Sequence, residues 1–259
     1  MSFLIGLLAG TFGGLVGLGG GVIMIPLMVG VLKIGQHKAH GTSLVALVFT
    51  GIMGSITYAV QGNIDILASL LLASTAVFTA RFGAKFADAL PEWKLGRYFG
   101  LFMLLITVLL LLKPHLPQVV DSAMGLTWSK ILVLLLTGVF TGFLSGMMGV
   151  GGGTIMVPSM VLLAGFTQYT AQGSSLLAMV PAGGVGAFTH WRLGNVNKST
   201  LTGLVPGILI GTCMGGSLAH FIVEDYLRLI FAAVLVWTGA RYLKAPLPEP
   251  QKEEKELKQ

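Results

Sequence analysis

GLGGGVIMIP occupies positions 17–26 and GVGGGTIMVP occupies positions 149–158, so a glycine-rich stretch ending in proline recurs after 132 residues. The register then holds without a gap, because HGTSLVA at 40–46 aligns with QGSSLLA at 172–178 and GNID at 62–65 aligns with GNVN at 194–197. Between positions 17 and 65, 21 of 49 residues are identical at this offset. An internal duplication with glycines in its most apolar part is typical of transporters built from two repeats around a shared site.

The composition indicates an integral membrane protein made of α-helices. The mean hydropathy is +0.85, and only 10% of the residues are charged, whereas a soluble domain has about a quarter. Apolar runs such as Leu44 to Val60 and Leu201 to Ile222 are about long enough to cross a ~30 Å hydrocarbon layer. The net charge of +6 comes from basic residues between these runs, so it indicates membrane orientation, with the lipid bilayer and no nucleic acid as partner.

The first apolar segment of each half is interrupted. Phe3 to Leu32 and Leu134 to Leu163 are too long for one simple crossing, and each contains a glycine cluster that costs a continuous helix about 1 kcal/mol per glycine. We therefore predict an all-α integral membrane protein of two homologous repeats, each with a glycine-broken first segment plus three transmembrane helices. The predicted divisions are repeat 1 at 1–113, an inter-repeat loop at 114–130, repeat 2 at 131–245, and a polar C-terminal tail at 246–259.

Two topologies are compatible with the interrupted segments. If each first segment crosses the membrane, the chain has eight spans and parallel repeats. If each is a re-entrant hairpin, three crossings remain per half and the repeats are inverted. The hairpin topology places 13 basic residues on one side and 3 on the other, against 9 and 7 for eight spans. The positive-inside rule therefore favours inverted repeats, with both termini cytoplasmic.

The glycine clusters are candidate anion-binding elements. Non-helical backbone at membrane depth must face protein or a wet cavity, and a helix that restarts after glycines presents free amides and a positive dipole end. Two such ends facing each other favour an anion, although glycines in membrane helices also serve close packing. The predicted cradle consists of Gly19, Gly20, Gly21, Gly151, Gly152, Gly153 and Thr154.

Few other polar groups lie near these clusters. The candidate substrate-binding side chains are Thr42, Ser43, Ser174, Ser175, Gln36, His40 and Gln172. The hydroxyls could equally cap helices, and the glutamines could be surface groups. Arg81 and Lys85 are predicted to form an electropositive vestibule or to snorkel to the membrane surface. Histidine, cysteine and carboxylate residues show no metal-ligand spacing and no nucleophile–base pair, so we predict no metal, no cofactor and no enzyme activity.

The doubled motif resembles the TauE/SafE family of membrane proteins. The resemblance rests on GLGGGVIMIP and GVGGGTIMVP, each followed by HGTSL or QGSSLLA and then GN, and it extends from about Leu4 to Tyr242. It implies a multi-pass carrier of the inner membrane whose substrate is a small anion, such as sulfite, sulfoacetate or another small organic anion.

The sequence and the resemblance together predict a transporter that exports sulfite or a small organosulfonate by alternating access. The alternatives are an anion channel, an importer of small carboxylate or sulfur-containing anions, and a non-transporting membrane enzyme or scaffold. Proton coupling and the oligomeric state stay open. Valine at Gly20 or Gly152 is expected to abolish transport while leaving the fold intact.

Overall fold

The computed structural model describes residues 1–86 and 127–244, together with residues 97, 100, 101, 103–105, 107, 108, 111 and 112; the side chains of residues 36, 148 and 242 are outside this description. The residues described between 97 and 112 are helical. Elsewhere in the described chain nine helices have defined bounds: α1 Ser2–Val16, α2 Gly21–Gly30, α3 Gln36–Val60, α4 Ile66–Phe86, α5 Trp128–Met148, α6 Gly153–Leu162, α7 Gln168–Arg192, α8 Lys198–Ala219 and α9 Glu224–Leu243.

The helices recur at the same spacing as the sequence motif. The bounds of α2 and α3, shifted by 132 residues, are those of α6 and α7, and α4 shifted in this way covers all but the last residue of α8. Both predicted interruptions are present, between Val16 and Gly21 and between Met148 and Gly153. Gly17 and Gly149 end α1 and α5 in the left-handed conformation, with φ of 73° and 63°, which glycine adopts without a steric penalty.

The chain reverses direction at each interruption. A Cβ placed on Gly20 would lie 2.5 Å from the carbonyl oxygen of Ala9, and one placed on Gly152 would lie 2.5 Å from Cγ2 of Thr141. Residues 11 positions apart in a continuous helix would be separated by about 16 Å. Thus α1 with α2, and α5 with α6, form helical hairpins, and we call residues 17–21 the first tip and residues 149–153 the second tip.

Each hairpin packs against the other half of the chain. Gly6, Gly10 and Gly14 of α1 lie against the backbone of Leu204, Ile208 and Thr212 in α8. In the matching interface, Gly138, Gly142 and Gly146 of α5 lie against Leu72, Ala76 and Ala80 of α4. Small residues at these positions allow backbones to approach closely, which is how helices associate in membranes.

The same contacts give the relative directions of the helices. Partner residues of α1 and α8 rise together along the chain, so these two helices are parallel, and so are α4 and α5. In contrast, Gly54 of α3 lies near Leu176 of α7, whereas Gly186 of α7 lies near Leu44 of α3. The central pair α3 and α7, which are equivalent in the two halves, therefore run antiparallel.

Four described helices are long and apolar enough to span a membrane: His37–Val60, Ile66–Phe86, Trp128–Met147 and Lys198–Ala219. Large apolar side chains such as Phe78 and Phe82, which are 71% and 67% exposed, cover the outside of these helices, as lipid contact requires. The helix α5 begins at Trp128, three residues inside the range predicted as inter-repeat loop. The predicted tail at 246–259 and loop residues 114–126 lie outside the described residues, and the domain divisions stay a prediction.

Candidate functional site

The two glycine tips are buried and in direct contact with each other. A Cβ on Gly21 would lie 2.8 Å from the carbonyl oxygens of Gly149 and Val150, and one on Gly153 would lie 2.2 Å from the carbonyl oxygen of Gly17. All residues of both tips are buried. The structure therefore brings the two tips into contact but leaves no room for an anion directly between them, where the sequence predicted it, and the predicted binding role of the tip glycines stays a prediction.

Two of the predicted hydroxyls hold the tips in place. Ser43 Oγ lies 2.8 Å from the carbonyl oxygen of Gly149 and 2.7 Å from that of His40, so its single proton is shared between two acceptors. Ser175 Oγ makes the equivalent contacts, at 3.1 Å to Gly17 O and 2.8 Å to Gln172 O. Each serine thus binds a backbone carbonyl in the tip of the other half.

The other two predicted hydroxyls accept hydrogen bonds at the starts of helices. Thr42 Oγ1 accepts from the backbone N–H of Asn197 at 2.9 Å, just before α8. Ser174 Oγ accepts from the N–H of Asp65 at 2.8 Å, just before α4. The four hydroxyls therefore surround the tips, but their described hydrogen bonds stabilise the backbone.

The predicted amide and imidazole groups have different surroundings. The fully buried Gln172 accepts at Oε1 from the Tyr58 hydroxyl at 2.8 Å, while its Nε2 has no hydrogen-bond partner among the described residues. The backbone of His40 lies beside Gly149. Thr154 is buried with its hydroxyl 3.5 Å from Gly151 O. Gln36 begins α3, but its side chain is outside the description.

A small cavity of about 10 Å³ lies beside the second tip, roughly the space that one water molecule occupies. Gly151 and Gly152 line one wall together with Thr141 and Ser145 of α5. Its remaining lining residues are Leu47, Ala76, Gly142, Met156, Met179, Ala182 and Gly183.

Two polar groups at this cavity lack ordinary hydrogen bonds. Thr141 is 1% exposed, and its Oγ1 has no partner among the described residues. The N–H of Gly152 donates to Met179 Sδ at 3.2 Å, and thioether sulfur is a weak acceptor. Buried polar groups are nearly always satisfied in native proteins, so both groups are suited to an additional partner.

A cationic cleft of about 730 Å³ lies between the end of α4 and the second half of α7. Arg81 and Lys85 of α4 line it, and so does Arg192 of α7, whose guanidinium lies 4.5 Å over the Phe188 ring. Their role as a vestibule stays a prediction. None of the lining residues that the structure describes is acidic. Adjacent residues of α7 line the two spaces: Gly183 lines the cavity, and Gly184 lines the cleft.

The family model for "Sulfite exporter TauE/SafE" matches residues 2–253 of this chain. The chain belongs to the TauE/SafE family. This confirms the resemblance seen in the doubled motif, and the protein is a membrane transporter of that family.

Curated relatives carry the same general description. Probable membrane transporter protein YunE of Bacillus subtilis is 28% identical over 94% of this chain and 98% of its own length. Probable membrane transporter protein YdhB of the same organism is 27% identical, over 85% and 90%. A probable membrane transporter protein of Methanocaldococcus jannaschii is 26% identical, over 90% of both chains. No solved structure matches the chain.

Sequence reasoning missed Thr141, Ser145 and Arg192 as site residues. Position 141 corresponds to Ala9 in the first half, so the repeat gave no signal for a hydroxyl there. Arg192 corresponds to Val60, and this unmatched charge at the end of a segment is the one signal that indicates a local role.

Proposed function

We propose that this TauE/SafE protein transports a small oxyanion, with sulfite or a small organosulfonate as the substrate and export as the direction. The observation that carries the proposal is the cleft lined by Arg81, Lys85 and Arg192. Its α7 wall includes Gly184, which directly follows Gly183 of the cavity beside the second tip. Clefts lined by charges of one sign raise the local concentration of the opposite ion. Amides at the start of α6 provide a dipole suited to the same anion.

The proposed topology has two inverted repeats with the cleft on the cytoplasmic side. The antiparallel contact of α3 with α7 supports inversion, because equivalent crossing helices run antiparallel when the relating axis lies in the membrane plane. The described basic residues support the orientation. Lys33, Lys38, Arg81, Lys85, Arg192 and Lys198 lie at the cleft end of the helices, whereas Lys130 and Arg228 lie at the other end.

In this proposal, each unit that moves during alternating access consists of a hairpin from one half and a helix from the other half. The glycine interface between α1 and α8 and that between α4 and α5 join backbone to backbone. Rocking of one whole repeat against the other would separate both interfaces. Each hairpin is therefore expected to move with its partner helix from the other half, while α3 and α7 slide past each other. An inside-negative potential favours anion export by about 2.3 kcal/mol per charge per 100 mV, so coupling to a proton is optional.

An anion channel is the second candidate, because it would use the same helix dipoles without alternating access. Purified protein in liposomes distinguishes the two when assayed with sulfite, sulfate, thiosulfate and short sulfonates. We expect saturable flux that is stimulated by substrate on the opposite side. Flux that neither saturates nor exchanges would instead support a channel.

The cleft itself is tested by Arg81→Gln combined with Lys85→Gln. Removal of two cations from the cleft should raise the KM for the anion several-fold at low ionic strength, with a smaller effect at high salt, because salt screens such attraction. Lys33→Gln removes a cation outside the cleft and serves as the control. Equal KM values in all three proteins would contradict the role of the cleft.

A further inference from the structure

We infer that the anion binds on one side of the paired tips, in the cavity between α5 and the second tip, with Thr141 and Gly152 as its hydrogen-bond donors. This inference rests on the proposed transport function and specifies its binding site. The tips contact each other directly, and the cavity beside them is lined by Gly151 and Gly152 of the second tip.

Three features show that this cavity is equipped for an oxyanion. The Thr141 hydroxyl is buried and unpartnered among the described residues, and its side chain lines the cavity. The Gly152 amide has only a sulfur acceptor, which an anionic oxygen would replace with a stronger bond. Gly152 and Gly153 also begin the ten-residue helix α6, whose dipole favours negative charge at this end.

The equivalent position in the first half lacks these features. Thr141 and Ser145 correspond to Ala9 and Gly13, which carry no hydroxyl. The carbonyl of Ala9 lies against Gly20, and Gly13 also lies against Gly20, so backbone fills the corresponding region. Among the described residues, the paired hydroxyls of Thr141 and Ser145 therefore occur beside the second tip and have no counterpart beside the first.

The cavity walls select for a compact anion with a single charged group. The apolar side chains of Leu47, Met156 and Met179 also line the cavity, and they cannot solvate a second charge. No lysine or arginine is among the described lining residues of the cavity. Since the space is about 10 Å³, binding requires the flexible Met179 side chain to move aside, a role for which methionine is suited. Sulfite and methanesulfonate fit these conditions, whereas sulfoacetate, with a carboxylate in addition, does not.

The test compares Thr141→Val, Thr141→Ser and Gly152→Ala in liposomes with sulfite, methanesulfonate and sulfoacetate. Valine keeps the shape of threonine but removes the donor, so transport of sulfite should fall about tenfold to a hundredfold, as expected for loss of a hydrogen bond to a charged group. Serine should retain transport. Alanine at Gly152, where φ is −77°, adds a methyl group against Thr141 and should abolish it.

Thr137→Val is the matched control, because Thr137 lies one turn earlier on α5 and lines an apolar groove elsewhere. A second readout is the unfolding temperature, which sulfite should raise in the wild type and in Thr137→Val but not in Thr141→Val. Equal behaviour of the two valine variants would overturn the inference, and so would preferred transport of sulfoacetate. Absence of anion transport by the wild type would instead overturn the proposed function.

Discussion

Gly20 and Gly152 occupy equivalent positions in the two tips, yet an added methyl group would meet different surroundings. Gly20 has a φ of +79°, and its Cβ would lie 2.5 Å from the backbone oxygen of Ala9. Gly152 has an ordinary helical conformation, and its Cβ would meet the end of a side chain. Glycine is thus required for the fold at Gly20, whereas at Gly152 it keeps the cavity open.

Gly20→Ala should therefore destabilise the protein, because the left-handed conformation costs a non-glycine residue about 1–2 kcal/mol and the carbonyl of Ala9 cannot move freely. Gly30→Ala is the control, since nothing lies within 4 Å of that position. Thermal unfolding in detergent should show a lower midpoint for Gly20→Ala alone. The expectation that valine at Gly20 leaves the fold intact does not hold against this geometry.

Tyr58 links three helices through one hydroxyl group. It lies 3.0 Å from Gly14 O in α1 and 2.8 Å from Gln172 Oε1 in α7. Tyr58→Phe should lower the free energy of unfolding by about 1–3 kcal/mol, because it leaves buried acceptors unsatisfied. Denaturation of the purified variant measures this, and Tyr58→Phe combined with Gln172→Leu should recover part of the loss. Additive losses in the double variant would show that the hydrogen bond between the two side chains contributes little.

At the scale of single residues, the glycine clusters predicted where the helices break, because adjacent glycines followed by proline seldom continue a helix in an apolar segment. Hydrogen-bond partners were not predictable in the same way. Ser43 and Ser175 are conspicuous in the aligned motifs, yet they bind tip carbonyls. Thr141 is inconspicuous in sequence because a threonine within an apolar helix usually bonds its own backbone.

Among the helices, α1 and α8 approach each other closely through a contact lined with glycines. Gly207, Gly211 and Gly215 of α8 lie against the carbonyls of Phe3, Leu7 and Thr11. The matching glycines of α1 face α8 in turn. Side chains larger than glycine would therefore separate the two helices along their length.

Gly211→Val should accordingly destabilise the protein by about 1–3 kcal/mol or more, as overpacking does, because a Cβ there would lie 2.2 Å from Leu7 O. Gly30→Val, at an uncrowded position, should be close to neutral. The unfolding midpoints of the two variants in the same detergent provide the comparison. Equal midpoints would show that α1 can shift away from α8 without loss.

Hydropathy located the helices but not their ends. The apolar run begins at Leu44, whereas α3 begins at Gln36, eight residues earlier. The intervening residues include buried polar groups such as Thr42 and Ser43. Both lie in the helix and form hydrogen bonds with backbone groups of the other half. A helix end that is stabilised by tertiary hydrogen bonds cannot be predicted from the mean hydropathy of a segment.

For the whole molecule, the proposed inversion places the starts of α3 and α7 on opposite sides of the membrane. Single cysteines at Gly35 and Thr167, which are exposed, test this when the native Cys213 is first replaced by alanine. An impermeant maleimide applied to intact cells should label position 167 and not position 35, and permeabilised cells should show both. Labelling of both positions from one face would contradict inverted repeats.

The charge distribution in the sequence predicted the same topology that the helix directions support. The pairing of each hairpin with the opposite half was not predictable, because glycine patterns show that a helix face is close-packed but not which helix covers it. The sequence repeat showed which helices are equivalent. Only the contacts in the structure showed that the two halves interlock, with each hairpin packed against a helix of the other half.

Interlocking has a consequence for how such a chain could have arisen. A single unduplicated half would leave its glycine-lined hairpin and the helix equivalent to α4 or α8 without neighbours, so its bare backbone would face the lipid. Under the proposed inversion, it would be stable as two copies inserted in opposite orientations, each completing the other. The covalent join between the halves would then have fixed an association that already existed, and it would have freed one copy to acquire the hydroxyl groups that the other lacks.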